Sequence, residues 1–349
     1  MDEVIEALKK WSNEGKQTVI AFVVSKKGSA MRPVGAKMAI NEDSEITGSI
    51  SGGCVENAVI VEALACMRSR QPKLLHYGVT DDTAWSVGLM CGGEIDVMLQ
   101  PIYSSGEGDF DRIVVDKISA LQEARLPFML LVLLSGKKFG HTCILENRGG
   151  KIDPNAAAWV ERSLFPKLEE MMRTESSQII ETAAGQIYVD VGKPSPRLVV
   201  IGGAHVSIAF VKMAKLLGYY TILIDPRKTF ATQERFPEVD EMHADWPVEG
   251  LEKIQLNSGD YVLLASHDDK LDLPAAGAAL KAGATYIGML ASRTTKVRRF
   301  KLLEEEGFPR EQVEKIHAPV GMDIGARTPE EIALAMLAEI TAHRYGKVE

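Results

Sequence analysis

The stretch that decides the fold is Leu198-Val199-Val200-Ile201-Gly202-Gly203-Ala204-His205-Val206-Ser207. Its four leading apolar residues read as a strand buried on both faces, and a double glycine follows at once. An apolar helix then runs to about Leu217, and a second strand, Thr221 to Ile224, ends on Asp225. Asp225 lies 23 residues after Gly202, near the ~20 expected of an acid that binds a ribose. Strand, glycine turn, helix, strand and acid come in the order of a βαβ unit. Farther on, YVLLAS (261–266) and TYIGML (285–290) continue the alternation. The fold class is therefore α/β, with a Rossmann-like, doubly wound parallel sheet in the C-terminal half.

The cofactor reading of that turn stays open. A dinucleotide fingerprint has G-x-G-x-x-G, and this turn has Gly202-x-Ala204-x-x-Ser207. The methyl of Ala204 obstructs the close approach of a pyrophosphate, while the helix N-terminus still offers N–H groups to an anion. A Rossmann domain with a nucleotide and one without it are both consistent with these residues. Ligands bind off the carboxyl ends of parallel strands. That rule makes His267, in Ser266-His267-Asp268-Asp269, and Arg293, after the strand at Tyr286, candidate site residues. Gly321 and Asp323, in a glycine-rich loop before the capping box Thr328-Pro329-Glu330-Glu331, mark a second candidate anion turn.

Working outward, Gly192-Lys193-Pro194-Ser195-Pro196 is a stiff connector, which sets the domains at 1–193 and 194–349. The N-terminal half reads as mixed α/β. Val4, Leu8 and Trp11 mark an opening helix. Gln17 to Ser25, Lys37 to Ile40, Ile95 to Gln100, Gln178 to Thr182 and Gln186 to Val191 read as strands, as does FMLLVLL after Pro127. Asp153-Pro154 opens a predicted helix that Pro166 interrupts or kinks. No internal repeat is visible.

Two cysteines abut double glycines: Cys54 in Gly52-Gly53-Cys54-Val55-Glu56, and Cys91 in Cys91-Gly92-Gly93. Glycines bare the main chain to a ligand. Cys54 also falls at the start of a helix predicted over 55–68, where the helix dipole favours a thiolate, a soft metal ligand. Cys66 and Cys143 fit a helix interior and a strand, as small core residues.

Composition limits the rest. The chain has 349 residues, about two domains' worth, with 40 Lys+Arg against 48 Asp+Glu and a formal charge of −8. An acidic chain argues against a general nucleic-acid binder, which needs clustered cations. No apolar run approaches a membrane span, and the N-terminus, MDEVIEALKKW, lacks the apolar core of a signal peptide. Four sparse cysteines without a C-x-x-C pair fit free thiols in a reducing cytoplasm.

The segments GSISGGCVENAVIVEAL (48–64), GLMCGGEIDV (88–97), LVVIGGAHVSIAF (198–210), ILIDPR (222–227), ASHDDKLD (265–272) and PVGMDIGARTPEEIALAMLAEI (319–340) resemble the xanthine dehydrogenase accessory factor family, XdhC/CoxI. The resemblance implies an N-terminal XdhC/CoxI domain, a C-terminal Rossmann domain and an accessory factor rather than a conventional enzyme. Such factors bind the molybdenum cofactor in its molybdopterin form. They assist exchange of an oxo for a sulfido ligand with a cysteine desulfurase, and deliver the cofactor to a molybdenum hydroxylase such as xanthine dehydrogenase. By resemblance the family's cysteine turns map onto Cys54, with Gly52, Gly53 and Glu56, and onto Cys91, Gly92 and Gly93, and the thiolate chemistry of Cys54 makes it the expected molybdenum contact. Beside them, the candidate binding residues of the Rossmann half are Gly202, Gly203, His205, Asp225, Arg227, His267, Arg293, Gly321 and Asp323. Ala204 and Ala291 stand where the family usually has glycine. An NAD(P)-dependent oxidoreductase and a non-catalytic docking scaffold are the competing readings. A homodimer is expected as the commonest assembly.

Overall fold

Thr18–Lys27 (β1) is a run of apolar and β-branched residues, and it lies at the centre of a five-stranded sheet buried on both faces. The computed structural model describes residues 2–29, 32–78, 93–102, 112–148, 151–152, 160–174, 176–183 and 185–347. The chain divides into two compact units, Met1–Pro194 and Ser195–Glu349.

The first unit opens with α1 (Asp2–Asn13), followed by β1, β2 (Lys37–Asn41), β3 (Ile46–Gly48), α2 (Glu56–Ser69), β4 (Lys73–Tyr77) and β5 (Glu94–Ile102). The strands pair antiparallel in the order β3-β2-β1-β5-β4. The same sequence of elements then recurs: α3 (Arg112–Glu123), β6 (Phe128–Leu133), β7 (Thr142–Arg148), β8 (Lys151–Ile152), α4 (Phe165–Thr174), β9 (Gln178–Thr182) and β10 (Gly185–Gly192). Their order is β8-β7-β6-β10-β9.

The unit is thus an αβββαββ module built twice, which corrects the expectation of no repeat. The correspondence reaches single bonds. Gly35 N–H donates to the Val23 carbonyl and Val23 N–H to that of Ala36. Gly140 donates to Leu133 and Leu133 to His141 in the same way. The helix ends match too: Lys16 N–H reaches Trp11, and Leu126 N–H reaches Leu121.

Alternation of side chains explains the layers. Ile20, Phe22 and Val24 of β1 face Phe128, Leu130 and Val132 of β6 in one core, together with α1 and α3. Val19, Ala21 and Val23 pack instead with Val59, Ala63 and Met67 of α2. Met129, Leu131 and Leu133 pack with Leu168, Met171 and Met172 of α4. Pro166 does not break its helix. It sits in the first turn of α4, where its missing N–H has no intrahelical partner to lose. The helix expected from Asp153 falls outside the described residues.

A buried ion pair ties the two modules. Lys37 Nζ lies 2.9 Å from Asp190 Oδ2, with exposures of 6% and 2%, and Tyr188 donates its hydroxyl to Asp190 Oδ1 at 3.1 Å. Asp190 pairs with Leu130 as Gln100 pairs with Ile20, so Asp190 and Gln100 occupy equivalent places. Each faces the other module's hairpin glycine. A Cβ at Gly35 would lie 3.5 Å from Asp190 Oδ1, and one at Gly140 would lie 3.4 Å from Gln100 Oε1.

The second unit carries β11 (Arg197–Ile201), α5 (His205–Leu216), β12 (Tyr220–Ile224), β13 (Glu241–His243), α6 (Pro247–Lys253), β14 (Tyr261–Leu264), α7 (Asp269–Ala282), β15 (Tyr286–Met289), α8 (Arg293–Glu305), α9 (Arg310–Val313), β16 (Ile316–His317) and α10 (Pro329–Arg344). All strands are parallel in the order β13-β12-β11-β14-β15-β16, which is the Rossmann order. Residues of α5 and α10 join the core on one face, and residues of α6, α7, α8 and α9 join that on the other. Thr328 and Glu331 form the expected capping box on α10. No described helix is long and apolar enough to cross a membrane.

Removing one partner of a buried ion pair leaves an uncompensated charge, at a cost of about 3–5 kcal/mol. Asp190→Ala is therefore expected to lower the unfolding free energy by about that much in urea titrations. The double variant Lys37→Met, Asp190→Leu is expected to lose much less. Equal losses in the two variants would contradict the pairing.

Candidate functional site

One end of the first module's sheet gathers the segments that carry its glycines. β1 leaves the sheet there at Lys27, β2 enters at Lys37, β3 leaves at Gly48, β4 leaves at Tyr77 and β5 enters at Glu94. The turn 49–54 follows β3 and runs into α2 at this end. At the matching end of the second module, a tight hairpin joins Thr182 to Gly185 and packs on Ser135, whose Oγ accepts from Gln186 N at 2.8 Å.

The turn closes on a carboxylate of its own. Glu56 Oε1 accepts from Ser49 Oγ at 2.8 Å and from the N–H groups of Ile50, Ser51 and Gly52 at 3.3, 2.9 and 3.1 Å. Its Oε2 accepts from Gly53 N at 2.9 Å and from the Ser51 hydroxyl. Ser51 Oγ in turn accepts from Val55 N at 3.0 Å. Gly52 and Gly53 make this wrap possible with φ of +79° and +111°, a region that other residues enter at a cost. Burial alone would raise the Glu56 pKa, but the hydrogen bonds from Ser51 and Ser49 outweigh it and bring it down to about 2. Glu56 is thus an internal anchor, and the N–H groups of the turn hold it rather than face outward. Ser49 and Ser51 were missed in the sequence, although the spacing S-x-S-G-G-x-x-E carries the signal.

Cys54 follows this anchored turn, half-buried beside the core of α2, two residues before the helix begins at Glu56. A Cβ at neighbouring Gly53 would meet nothing within 4 Å, so the main chain there lies open. Arg32 reaches the turn from the β1–β2 loop and donates from Nε to the Ser49 carbonyl at 3.2 Å. Cys91 and Gly92 lie outside the described residues, and Gly93 is buried at the entry to β5. Cys66 and Cys143 are unpaired thiols, and burial pushes both upward, to about 11 and about 12. Among the described residues no cluster of three or more His, Cys, Asp or Glu side chains is placed to hold a metal ion.

In the second unit, the glycine turn after β11 likewise closes on an internal acid. Asp225 is fully buried and accepts from Gly203 N at 2.7 Å, from Arg227 Nη2 at 2.7 Å and from Arg227 N and Nε at 2.9 Å. Burial opposes ionisation, and the bonds from Arg227 and Gly203 still hold its carboxyl below the usual range. Arg227 stacks on the Phe230 ring, 4.0 Å from its centroid. The ribose-binding role expected from the spacing of Asp225 therefore has no free carboxylate oxygen behind it. His205 opens α5 and is exposed, as are His267 and Arg293. His267 has φ +60°, and Asp268 beside it caps α7 by accepting from Lys270 N.

The loop after β16 repeats the pattern. Gly321 N donates to Glu339 Oε2 at 2.8 Å, and Glu339 Oε1 accepts from Tyr286 at 2.6 Å and lies 3.2 Å from His317 Nδ1. Asp323 accepts from Gly325 N at 3.3 Å. Glu339 was not legible in the sequence, where it is one more residue on a helix.

The family described as "XdhC Rossmann domain" matches residues 198–340, and that described as "XdhC and CoxI family" matches residues 11–78. A "Molybdenum cofactor insertion chaperone PaoD" of Escherichia coli (strain K12) is 28% identical over 340 residues, covering 96% of this chain and 86% of that protein. A probable xanthine dehydrogenase subunit of Bacillus subtilis (strain 168) is 26% identical over 333 residues, 94% of each. A crystal structure described as a xanthine dehydrogenase from Bacillus halodurans superposes with a TM-score of 0.79 at 24% identity, covering 100% of this chain and 97% of that one.

Two outcomes follow from the anchored turns. The Glu56 pKa is depressed from the ordinary 4.5 to about 2, so its stabilisation is present above pH 4.5 and is lost as pH falls toward 2. In acid unfolding, the stability gap between wild type and Glu56→Gln is expected to be widest above pH 5 and to close below it. With Asp225 taken up internally, NADH is expected to give no saturable fluorescence change at micromolar concentration, and clear saturation would show that the turn opens.

Proposed function

Because the chain belongs to the XdhC and CoxI family, we propose that it carries molybdopterin as cargo, held at the Cys54 turn. On this reading it shelters the cofactor, assists its oxo-to-sulfido exchange with a cysteine desulfurase, and hands it to a molybdenum hydroxylase of the xanthine dehydrogenase type. The observation that carries the reading is the placement of Cys54: a half-buried thiol on main chain that Glu56 has already ordered. Such a group suits a soft metal that arrives with its own dithiolene ligands, because one more sulfur donor is then enough. Pre-ordering matters as well, since a turn already fixed by six hydrogen bonds loses little entropy when cargo docks. A chaperone has to let go, and one thiolate contact is easier to exchange than a full protein coordination shell.

The relatives support the reading, one being named for molybdenum cofactor insertion and another for xanthine dehydrogenase. No observation favours hydride transfer. The glycine turn after β11 lacks the second glycine, and Asp225 is bonded within the unit.

The test is anaerobic equilibration with molybdenum-loaded molybdopterin, gel filtration, and assay of retained molybdenum and pterin. Wild type is expected to retain both. Cys54→Ala is expected to retain them with an affinity lower by roughly 10- to 100-fold, the usual range for altered metal sites. A Cys54→Ala protein that binds and delivers cofactor as wild type does would overturn the role of the thiol. A wild type that retains no pterin would overturn the carrier reading.

A further inference from the structure

We propose that Arg32 is the anion-binding residue of the Cys54 site and takes the phosphate of the pterin cargo. The proposal rests on the carrier reading above and names the group that reading leaves unassigned. Molybdopterin ends in a phosphate, and a phosphate leaving water needs N–H donors or a cation. The obvious source is the main chain of the glycine turn, but the N–H groups from Ile50 to Gly53 are all bonded to Glu56. The helix beyond begins with Glu56 itself, whose negative charge already sits at the positive end of the dipole and disfavours a second anion there.

Arg32 supplies what the turn does not. Its Nε donates to the Ser49 carbonyl at 3.2 Å, which fixes the guanidinium against the turn that precedes Cys54. Among the described residues no carboxylate pairs with it and no other side chain bonds it, so both terminal NH₂ groups remain for a ligand. Glu56 is not its partner, since that carboxylate accepts its six hydrogen bonds from the turn itself. The other end of the side chain is anchored too. Arg32 precedes Pro33, which restricts its main chain. The next turn is clamped to β1 by the bonds Gly35 to Val23 and Val23 to Ala36, each 2.9 Å. A planar fork held at both ends is suited to a tetrahedral oxyanion.

The experiment measures equilibrium dialysis of two probes, molybdopterin and its phosphatase-treated, dephosphorylated form, against wild type, Arg32→Gln and Arg32→Lys. The thermal midpoint and the rate of Cys54 alkylation serve as structural controls. Arg32→Gln is expected to weaken molybdopterin by roughly 10- to 100-fold, as for loss of charge-assisted hydrogen bonds, and to leave the dephosphorylated probe unchanged. Arg32→Lys is expected to recover part of the loss, since it keeps the charge without the fork. The wild-type affinity for molybdopterin is expected to fall with salt, and that of Arg32→Gln to fall less. No loss in Arg32→Gln, or the same loss for both probes, overturns the proposal, the second result meaning that Arg32 only braces Ser49. If wild type takes up neither probe, the carrier reading itself fails and this assignment falls with it.

Discussion

A buried N–H group has to be bonded, and in this chain the glycine turns meet that demand with the chain's own carboxylates. Three glycine turns that the sequence offers to a ligand close in this way: 50–53 on Glu56, Gly203 on Asp225, and Gly321 on Glu339. The arrangement fixes the backbone without a ligand. On the proposed reading, recognition then falls to side chains that the turns hold in place. Cys54 and Arg32 both gain their positions from a turn that is ordered before anything binds.

The doubled module supplies an internal comparison. Val160-Glu161 stands in the second module where Val55-Glu56 stands in the first, yet the two glutamates act differently. Glu161 Oε1 accepts from Ala183 N at 2.9 Å, the N–H of the hairpin that closes the sheet end, whereas Glu56 orders the turn before it. The same architecture is thus compatible with a closed sheet end and with one that bears a cysteine on open main chain. The fold does not require the thiol or the arginine. Lys37 and Asp190 show where the two copies diverged for packing instead, with Thr142 and Gln100 in their places.

Much of the architecture was legible because burial leaves a pattern. The strands β11, β12, β14 and β15 are apolar but for Arg197 and Thr221, each ends at a turn, and the linker at Gly192–Pro196 breaks the rhythm. The capping box at Thr328 and the helix start after Cys54 were legible for the same local reason. The repeat was not. Its two copies preserve burial rather than identity, with Ala63 answered by Leu168 and Cys66 by Met171, and only short matches such as Val55-Glu56 with Val160-Glu161 survive. Nor does spacing tell which way a carboxylate turns. Asp225 sits at the expected interval, but its direction is set by Arg227, two residues on, and by the N–H of Gly203.

The alanine at position 204 follows the same logic. Only Gly202 needs a backbone that alanine resists, with φ +103° and a hypothetical Cβ 2.5 Å from the Ser266 Cα. Gly203 is kept small by the chain itself, since a Cβ there would lie 2.6 Å from the Phe230 carbonyl oxygen. Ala204 has φ −65° and ψ 170°, an ordinary extended conformation at the cap of α5, and its methyl joins the core beneath. In a dinucleotide-binding turn that position stays bare because a pyrophosphate must come close. Here the two glycines that remain answer to Ser266 and Phe230, neighbours within the same unit. The turn has kept the geometry that joins strand to helix, and the position that a pyrophosphate would need bare carries a methyl group.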